Sequence, residues 1–273
     1  MALIPPFFLD AVVSIGVPSE AGTSWIGTGF IVGHFIREDE GGTKQYLTFL
    51  VTNKHVLAGK PSIIVRFEHS DRAKVLDYPV NLNDEKGSIW VGNPADSVDV
   101  AAFHVNHELL ANDKAVLEFF SLTDHAMGIA EMAEAGVSEG DGVFVLGFPM
   151  GIVSEQSMYV IARLGSIARV RDVLHGKESS ILIDANIFPG NSGGPVIIRP
   201  ETSAITGTKT ISRAALIGIV KSYVPYKDVA VSQQTGKPRV IFEENSGLAL
   251  VETVDNIRST VELCYQLKIA ADL

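Results

Sequence analysis

Short apolar segments alternate with polar, turn-rich segments along the whole chain. The apolar segments are rich in Val and Ile and are bounded by Gly, Pro, Asn and Asp, as strands joined by turns are. They lie at residues 11–17, 28–33, 46–52, 63–68, 98–105, 142–148, 158–170, 179–188, 195–199, 214–220 and 246–252. Strands and helices do not alternate as they do in parallel α/β proteins, so the pattern predicts an all-β fold.

Helical patterns interrupt the strands in the middle of the chain and at its end. Residues 110–119 and 127–136 contain few β-branched residues and lie between two groups of strands, so they favour a partly helical linker. Near the C-terminus, apolar residues recur at helical spacing and predict a helix with one buried stripe. The members of that stripe are Ile257, Val261, Cys264 and Leu267.

These elements predict two packed β-barrels joined by the linker. The predicted units are an N-terminal barrel at 1–110, a linker at 111–140, a C-terminal barrel at 141–252 and a helix at 253–273. Residues 200–213 and 224–245 are polar and rich in turn residues, and we expect surface loops there.

Composition narrows the functional classes. The net charge is −10 and no dense Lys or Arg run occurs, so nucleic acid is not an expected partner. The single cysteine, Cys264, excludes an intramolecular disulfide and suits the core face of a helix. The N-terminal segment resembles neither a signal peptide nor a membrane span, so we expect a cytoplasmic protein without a membrane anchor. The sequence does not predict an oligomeric state.

The strongest chemical signal is the run FPGNSGGP at residues 188–195, between two predicted strands. A serine hydroxyl attacks a carbonyl when it projects from a tight turn and backbone N–H groups face the developing oxyanion. Gly190 would let its N–H approach a substrate, and Gly193 and Gly194 would leave room behind Ser192. An ordinary turn of small residues is the alternative. The length of the run favours a nucleophile.

The order of residues separates the classes of serine hydrolase. Residues 190–194 also satisfy the Gly-x-Ser-x-Gly elbow of α/β-hydrolases, but those enzymes carry their histidine after the serine. The last of the seven histidines here is His175, before Ser192. A subtilisin-type order would need an α/β fold. The order His, Asp, Ser remains.

His55 and Asp99 are the candidate base and orienting carboxylate. His55 follows an apolar strand whose end could hold an imidazole rigidly. Asp99 begins another apolar strand and could accept the second ring N–H of His55, and Asp96 is the alternative. His104 and His107 have a spacing that could suggest a metal, but a strand would place them on different faces, and no metal is expected.

At these residues the chain resembles the trypsin-like, chymotrypsin-fold serine peptidases, and most nearly the bacterial Deg (high-temperature-requirement) branch. The motifs that carry the resemblance are GTGFIV at 27–32, TNKHV at 52–56, DVA at 99–101, LGFPMG at 146–151 and IDANIFPGNSGGP at 183–195, with looser matches at 216–220 and 246–250. The resemblance implies two packed antiparallel β-barrels with a C-terminal helix. It implies a catalytic triad of His55, Asp99 and Ser192. The Deg branch usually carries a PDZ domain after the peptidase domain, and we expect none in this chain.

The resemblance also implies the parts of the site that bind substrate. The backbone N–H groups of Gly190 and Ser192 would form the oxyanion hole. The specificity pocket would have Asn186 at its floor, with Ile187, Phe188 and Tyr223 around it. None of these four is charged, so we expect an uncharged residue at the P1 position of the substrate.

The expected function is therefore a serine endopeptidase that cleaves proteins or peptides through an acyl-enzyme, without metal or organic cofactor. Two alternatives remain open, a non-catalytic peptide-binding or scaffolding protein with the same fold and an esterase with the same triad. In pancreatic relatives, the residue before the serine is an aspartate that pairs with a new N-terminal amine. Here it is Asn191, so no proteolytic activation is expected.

Overall fold

Strands dominate the computed structural model, which describes residues 3–85, 87–201 and 207–272. The first half of the chain contributes β1 Val12–Ser19, β2 Gly22–Glu38, β3 Lys44–Thr52, β4 Ser62–Glu68, β5 Val75–Asn81, β6 Asn83–Asp84, β7 Gly87–Ser88, β8 Val91–Gly92, β9 Ala101–His104 and β10 Phe120–Ser121. The second half contributes β11 Gly142–Gly147, β12 Ile161–Arg169, β13 Ser180–Asp184, β14 Pro195–Ile198, β15 Ala215–Val231 and β16 Pro238–Thr253.

The helices are short except for the last one. They are α1 Pro6–Asp10, α2 Lys54–Leu57, α3 His107–Asn112, α4 Ile129–Ala135, α5 Arg171–Leu174 and α6 Val254–Asp272, with a 3₁₀ turn at Pro149–Gly151. Within the described residues, no helix is long and apolar enough to cross a bilayer.

Most strands form two large sheets, one in each half of the chain, and β6 and β7 pair as a separate two-stranded sheet. The first has eight strands in the order β5-β4-β1-β2-β3-β9-β8, with β10 paired in parallel to β2. In the second, β11-β12-β13-β16-β15-β14 close an antiparallel barrel. The all-β architecture with a C-terminal helix is thus confirmed. In the first sheet, however, the strand order begins at β5 and ends at β8, and no pairing joins these two edge strands among the described residues.

The apolar runs of the sequence are continuous because several strands are buried on both faces. Ile31 and Leu50, on β2 and β3, face a cluster inside the first sheet. Their neighbours Phe30 and Phe49 face the opposite way, into a cluster shared with the second barrel and α6. Successive side chains of a strand point to opposite faces, so each strand serves two cores. A third cluster fills the closed barrel.

The C-terminal helix buries most of its predicted stripe. Ile257, Val261 and Cys264 belong to the shared core, and Cys264 Sγ lies 3.7 Å from the Ala102 carbonyl oxygen on β9. Leu267, the fourth expected member, is exposed. The last turns of α6 therefore extend past the core, and the stripe ends at Cys264.

The predicted helix at 110–119 is only partly present. Helix α3 ends at Asn112, and Lys114 adopts a left-handed conformation with φ of 59°, which ends the helix. Beyond it the backbone pairs with the first sheet, because Ala115 bridges to His69 and Phe120 pairs with Val32. This sheet pairing overrides the local helical preference.

The loop prediction at 224–245 is wrong. Strands β15 and β16 continue out of the barrel as a two-stranded ribbon, in which Val229 opposes Ile241. Residues 232–237 form its turn, and the Ser232 N–H donates to the Lys237 carbonyl oxygen. The ribbon extends beyond the barrel core, so its apolar side chains are exposed. Its polar and turn-forming residues are the reason that the sequence indicated a loop. Of the other expected loop, 200–213, residues 202–206 lie outside the described residues.

Candidate active site

His55 is held at the end of a buried strand by a short helix. Strand β3 ends at Thr52, whose hydroxyl donates to the Thr28 carbonyl oxygen at 2.7 Å. Helix α2 follows and buries Val56 and Leu57, which flank His55 on its C-terminal side. The His55 side chain is about half exposed, at 51%. The helix therefore fixes the backbone of His55 while its ring faces the solvent-filled cleft.

The Asp99 carboxylate bonds to both the ring and the backbone N–H of His55. His55 Nδ1 lies 2.5 Å from Asp99 Oδ2, and the His55 N–H donates to Asp99 Oδ1 at 3.2 Å. Burial alone would raise the pKa of Asp99. The hydrogen bond from His55, the charge of His55 and the backbone N–H groups nearby lower that pKa by more, so the net pKa of Asp99 is below the ordinary value. The carboxylate is thus ionised at neutral pH and can orient the imidazole.

Asp99 is also held through its own backbone, whereas the alternative, Asp96, is not bonded to His55 among the described residues. Asn53 Nδ2 donates to the Asp99 carbonyl oxygen at 2.6 Å. Asp96 is exposed on the same loop and makes no hydrogen bond to His55 among the described residues. The geometry therefore favours Asp99.

The loop around Ser192 has a conformation that only glycine fits at two positions. Gly190 and Gly193 have φ of 97° and 84°, in the left-handed region. A Cβ on Gly190 would lie 2.3 Å from the Phe148 carbonyl oxygen, and one on Gly193 would lie 2.1 Å from the Thr28 carbonyl oxygen. These close approaches explain the glycines of the motif, and Ser192 projects between them.

Ser192, His55 and Asp99 line one cleft of about 490 Å³ between the two halves of the molecule. Its other lining residues are Ile26, Ile187, Phe188, Pro189, Gly190, Lys221, Ser222 and Tyr223. Within the described residues, no hydrogen bond joins the Ser192 hydroxyl to the His55 ring. Catalytic hydrogen bonds are often long without substrate and tighten when it binds.

Two backbone N–H groups at the cleft are free to bind an anion. The Pro189 carbonyl oxygen accepts the Met150 N–H at 2.6 Å. In a trans peptide the N–H points opposite to the C=O, so the Gly190 N–H points away from Met150. Among the described residues, neither Gly190 N–H nor Ser192 N–H donates to another protein group. Unpaired, fixed donors are what an oxyanion hole requires.

The side chain of Asn191 supports this loop locally. Asn191 Oδ1 accepts the Phe188 N–H at 3.1 Å, and the Asn191 N–H donates to the Phe188 carbonyl oxygen at 3.0 Å. Asn191 Nδ2 is buried without a hydrogen-bond partner among the described residues. The Asn191 side chain thus supports the loop from within, in addition to the hydrogen bonds that Thr28 and Met150 donate to it.

The structure brings three of the four predicted specificity residues to the cleft. Ile187, Phe188 and Tyr223 line it, whereas Asn186 does not. Beyond β13, Ala185 and Ile187 point into the closed barrel, so Asn186 between them faces outward and is exposed. Its Oδ1 lies near Gly247 on β16.

Sequence reasoning did not single out Lys221 and Glu252. Lys221 lines the cleft, and Glu252 is a buried carboxylate that accepts the Asp99 N–H at 3.1 Å. A signal was present, because each is a charged residue at the end of an otherwise apolar run, IGIV at 217–220 and LALV at 248–251. A charge at such a place is either exposed or paired inside.

Comparisons with known proteins identify the family of the chain. A sequence family described as a trypsin-like peptidase domain matches residues 27–202, a span that contains His55, Asp99 and Ser192. Among solved structures, the chain is similar to the MamO protease domain from Magnetospirillum magneticum in its apo form, at 16% identity and a TM-score of 0.49, over 93% of this chain and 97% of that one. No curated protein sequence matches the chain.

Proposed function

The chain belongs to the trypsin-like peptidase domain family, and from this premise we propose that it is a serine endopeptidase acting on proteins or peptides through an acyl-enzyme. The observation that carries the proposal is the 2.5 Å contact between His55 Nδ1 and Asp99 Oδ2, in the cleft that Ser192 also lines. A base held by a carboxylate beside a projecting serine is the arrangement that acyl transfer needs.

In the proposed mechanism, Ser192 Oγ attacks the scissile carbonyl while His55 Nε2 takes the hydroxyl proton. His55 then gives this proton to the leaving amine, and the carbon–nitrogen bond breaks to leave an ester on Ser192. Water repeats the sequence on the ester and releases the acid. Asp99 accepts the Nδ1–H throughout and stabilises the imidazolium. The mechanism needs no metal or organic cofactor.

The Gly190 and Ser192 N–H groups would hold the oxyanion of each tetrahedral intermediate. Support comes from their lack of other acceptors in the described residues and from the Met150 hydrogen bond that turns the Pro189–Gly190 peptide. Removing one such donor from a serine peptidase costs about 10²–10³-fold in kcat.

The alternatives are separated by substrate class. A peptidase should hydrolyse casein and a peptide amide, an esterase should hydrolyse only activated esters, and a non-catalytic protein should hydrolyse none. We expect the protein to cleave casein. Ser192→Ala should lower kcat by roughly 10³-fold or more. Cleavage of esters but not of amides would support the esterase alternative. Full activity in Ser192→Ala would contradict both the peptidase and the esterase.

We further propose that the P1 residue of the substrate is uncharged and apolar. The support is that Ile187, Phe188 and Tyr223 line the cleft and offer no carboxylate to a basic side chain, which would then lose its hydration uncompensated. Apolar pockets discriminate by only about 1–3 kcal/mol, so the selectivity should be moderate. A peptide-library profile dominated by Arg or Lys at P1 would contradict this assignment.

A further inference from the structure

A fully buried carboxylate lies directly behind the His55–Asp99 pair. The Glu252 side chain, near the end of β16, is 1% exposed. Its Oε1 accepts the Asp99 N–H at 3.1 Å, and its Oε2 accepts Asn256 Nδ2 at 2.8 Å. A buried charge is strongly unfavourable unless it is paired and hydrogen-bonded. Glu252 therefore needs a cation nearby.

Lys221 supplies that cation from the neighbouring strand β15. Its Nζ lies 2.9 Å from Glu252 Oε1 and donates to the Ser97 carbonyl oxygen at 2.6 Å. Although Lys221 lines the cleft, its side chain is only 25% exposed. The ammonium is therefore directed inward, to the loop that carries Asp99, and is not offered to the substrate.

The two side chains fix the Asp99 loop at two points. Lys221 holds the Ser97 carbonyl oxygen, and Glu252 holds the Asp99 N–H. Both come from the C-terminal barrel, whereas Asp99 and His55 belong to the N-terminal half. On the other side, Asn53 Nδ2 holds the Asp99 carbonyl oxygen. The carboxylate of Asp99 thus projects from a backbone that is fixed on both sides.

We propose that Lys221 and Glu252 form a positioning pair that holds Asp99 against His55 and couples the two halves of the molecule at the triad. The inference rests on the proposed function, since it assigns Asp99 its role toward His55. Neither residue touches the reacting atoms. Their joint charge is zero, so the pair fixes the loop without adding a net field at the imidazole.

Because Lys221 and Glu252 carry opposite charges, removing one or the other should affect protonation of the His55 ring in opposite directions. Losing Glu252 alone leaves the Lys221 cation unbalanced, which disfavours an imidazolium at His55. Losing Lys221 alone leaves the Glu252 anion, which favours the imidazolium. Other charged groups on the elements packed around His55 and Asp99 stay unchanged in both variants: Lys54, Lys60 and Asp96.

The test measures the acid limb of the kcat/KM profile in three variants. In Glu252→Gln, which keeps an oxygen to accept the Asp99 N–H, the limb should move to lower pH by roughly half a unit or more. In Lys221→Met it should move to higher pH by a similar amount. In the double variant the limb should return toward the wild-type position, because the net charge is again zero, but kcat should stay below the wild-type value, because neither side chain holds the Asp99 loop. Exposed Lys177→Met and Glu178→Gln, in the turn after α5, are the matched controls and should leave the limb in place.

A second readout does not depend on turnover. In a Ser192→Ala background, the His55 ring resonance is titrated by NMR in the same variants, so a failure of the proposed peptidase function leaves this measurement intact. Opposite shifts in the two single variants, with return in the double variant, support the proposal. If Glu252→Gln does not fold, Lys221→Met and the double variant still decide. Equal shifts, no shifts, or a double variant with wild-type kcat would overturn it.

Discussion

At the scale of single residues, the site depends on backbone bonds as much as on side chains. His55 is fixed by helix α2, Asp99 by bonds to Asn53 and Glu252, and Ser192 by a loop in which its own carbonyl oxygen accepts the Thr28 N–H at 2.9 Å. Fixed groups lose little freedom when a substrate binds, which is how positioned catalytic groups gain their effect.

The two aspartates of one loop provide a matched pair of variants. Asp99→Asn should lower kcat by roughly 10³–10⁴-fold, because an amide stabilises the wrong tautomer of the imidazole. Asp96→Asn should leave kcat near the wild-type value, since Asp96 is exposed and, in the described part of the chain, makes no hydrogen bond to His55. Steady-state kinetics on a peptide amide measures both. The reverse pattern would transfer the third triad role to Asp96.

The pH dependence should report one titrating group. A histidine accepts the serine proton only when its ring is unprotonated, so kcat/KM should decline as the pH falls through the acid range. Asp99, whose pKa is lowered, keeps its charge through the same range and takes up a proton only at more acidic pH. The logarithmic limb should therefore have a slope of one. A flat profile between about pH 5 and 8 would contradict a histidine base.

At the scale of elements, the sequence predicted those strands, helices and turns that have a local pattern of apolar and polar residues. The barrel strands, the C-terminal helix and the glycine-rich serine loop all have local patterns. Strand β5 was missed because it is an edge strand with alternating burial and contains Pro79, and α3 was overextended because sheet pairing takes over at Ala115. The outward direction of Asn186 agrees with the alternation of apolar and polar residues at 183–187, whereas its place at a pocket floor was implied only by the family resemblance.

The ribbon formed by β15 and β16 should be dispensable for folding. Replacing residues 226–244 with Asn-Gly, a turn suited to the paired Pro225 and Asn245, removes mostly exposed side chains and little buried apolar area. We expect cooperative thermal unfolding with a change in Tm below about 5 °C. Ile219→Ala, on the same strand but buried in the core that the two halves share, is the control and should cost about 2–5 kcal/mol. Loss of cooperative unfolding on truncation would show that the ribbon is structural.

At the scale of the whole molecule, two β units share one apolar core and one cleft. Phe30 and Phe148, from different halves, pack in the shared core, while the cleft above it joins His55 and Asp99 from one half to Ser192 from the other. Lys221 and Glu252 cross the same boundary. A place in the Deg branch, the limits of the units along the chain and a cytoplasmic location stay predictions from the sequence.

The serine loop should form without proteolytic activation. Asn191 carries no charge to attract a new N-terminal amine, and its Oδ1 accepts the Phe188 N–H within the loop. Burst titration should therefore give the same active-site content for the chain with Met1 intact and for a version with an N-terminal tag. Activity that arises only after cleavage exposes a new N-terminus would show that this local bond is insufficient.

The central claim is that Ser192 is a nucleophile activated by His55 and Asp99. It is tested most directly by treating the folded protein with a fluorophosphonate, followed by intact-mass measurement and peptide mapping. We predict one adduct per chain, on Ser192, absent in Ser192→Ala and formed far more slowly in Asp99→Asn. A folded protein that takes no label, or takes it at another residue while Ser192 stays free, would contradict the account.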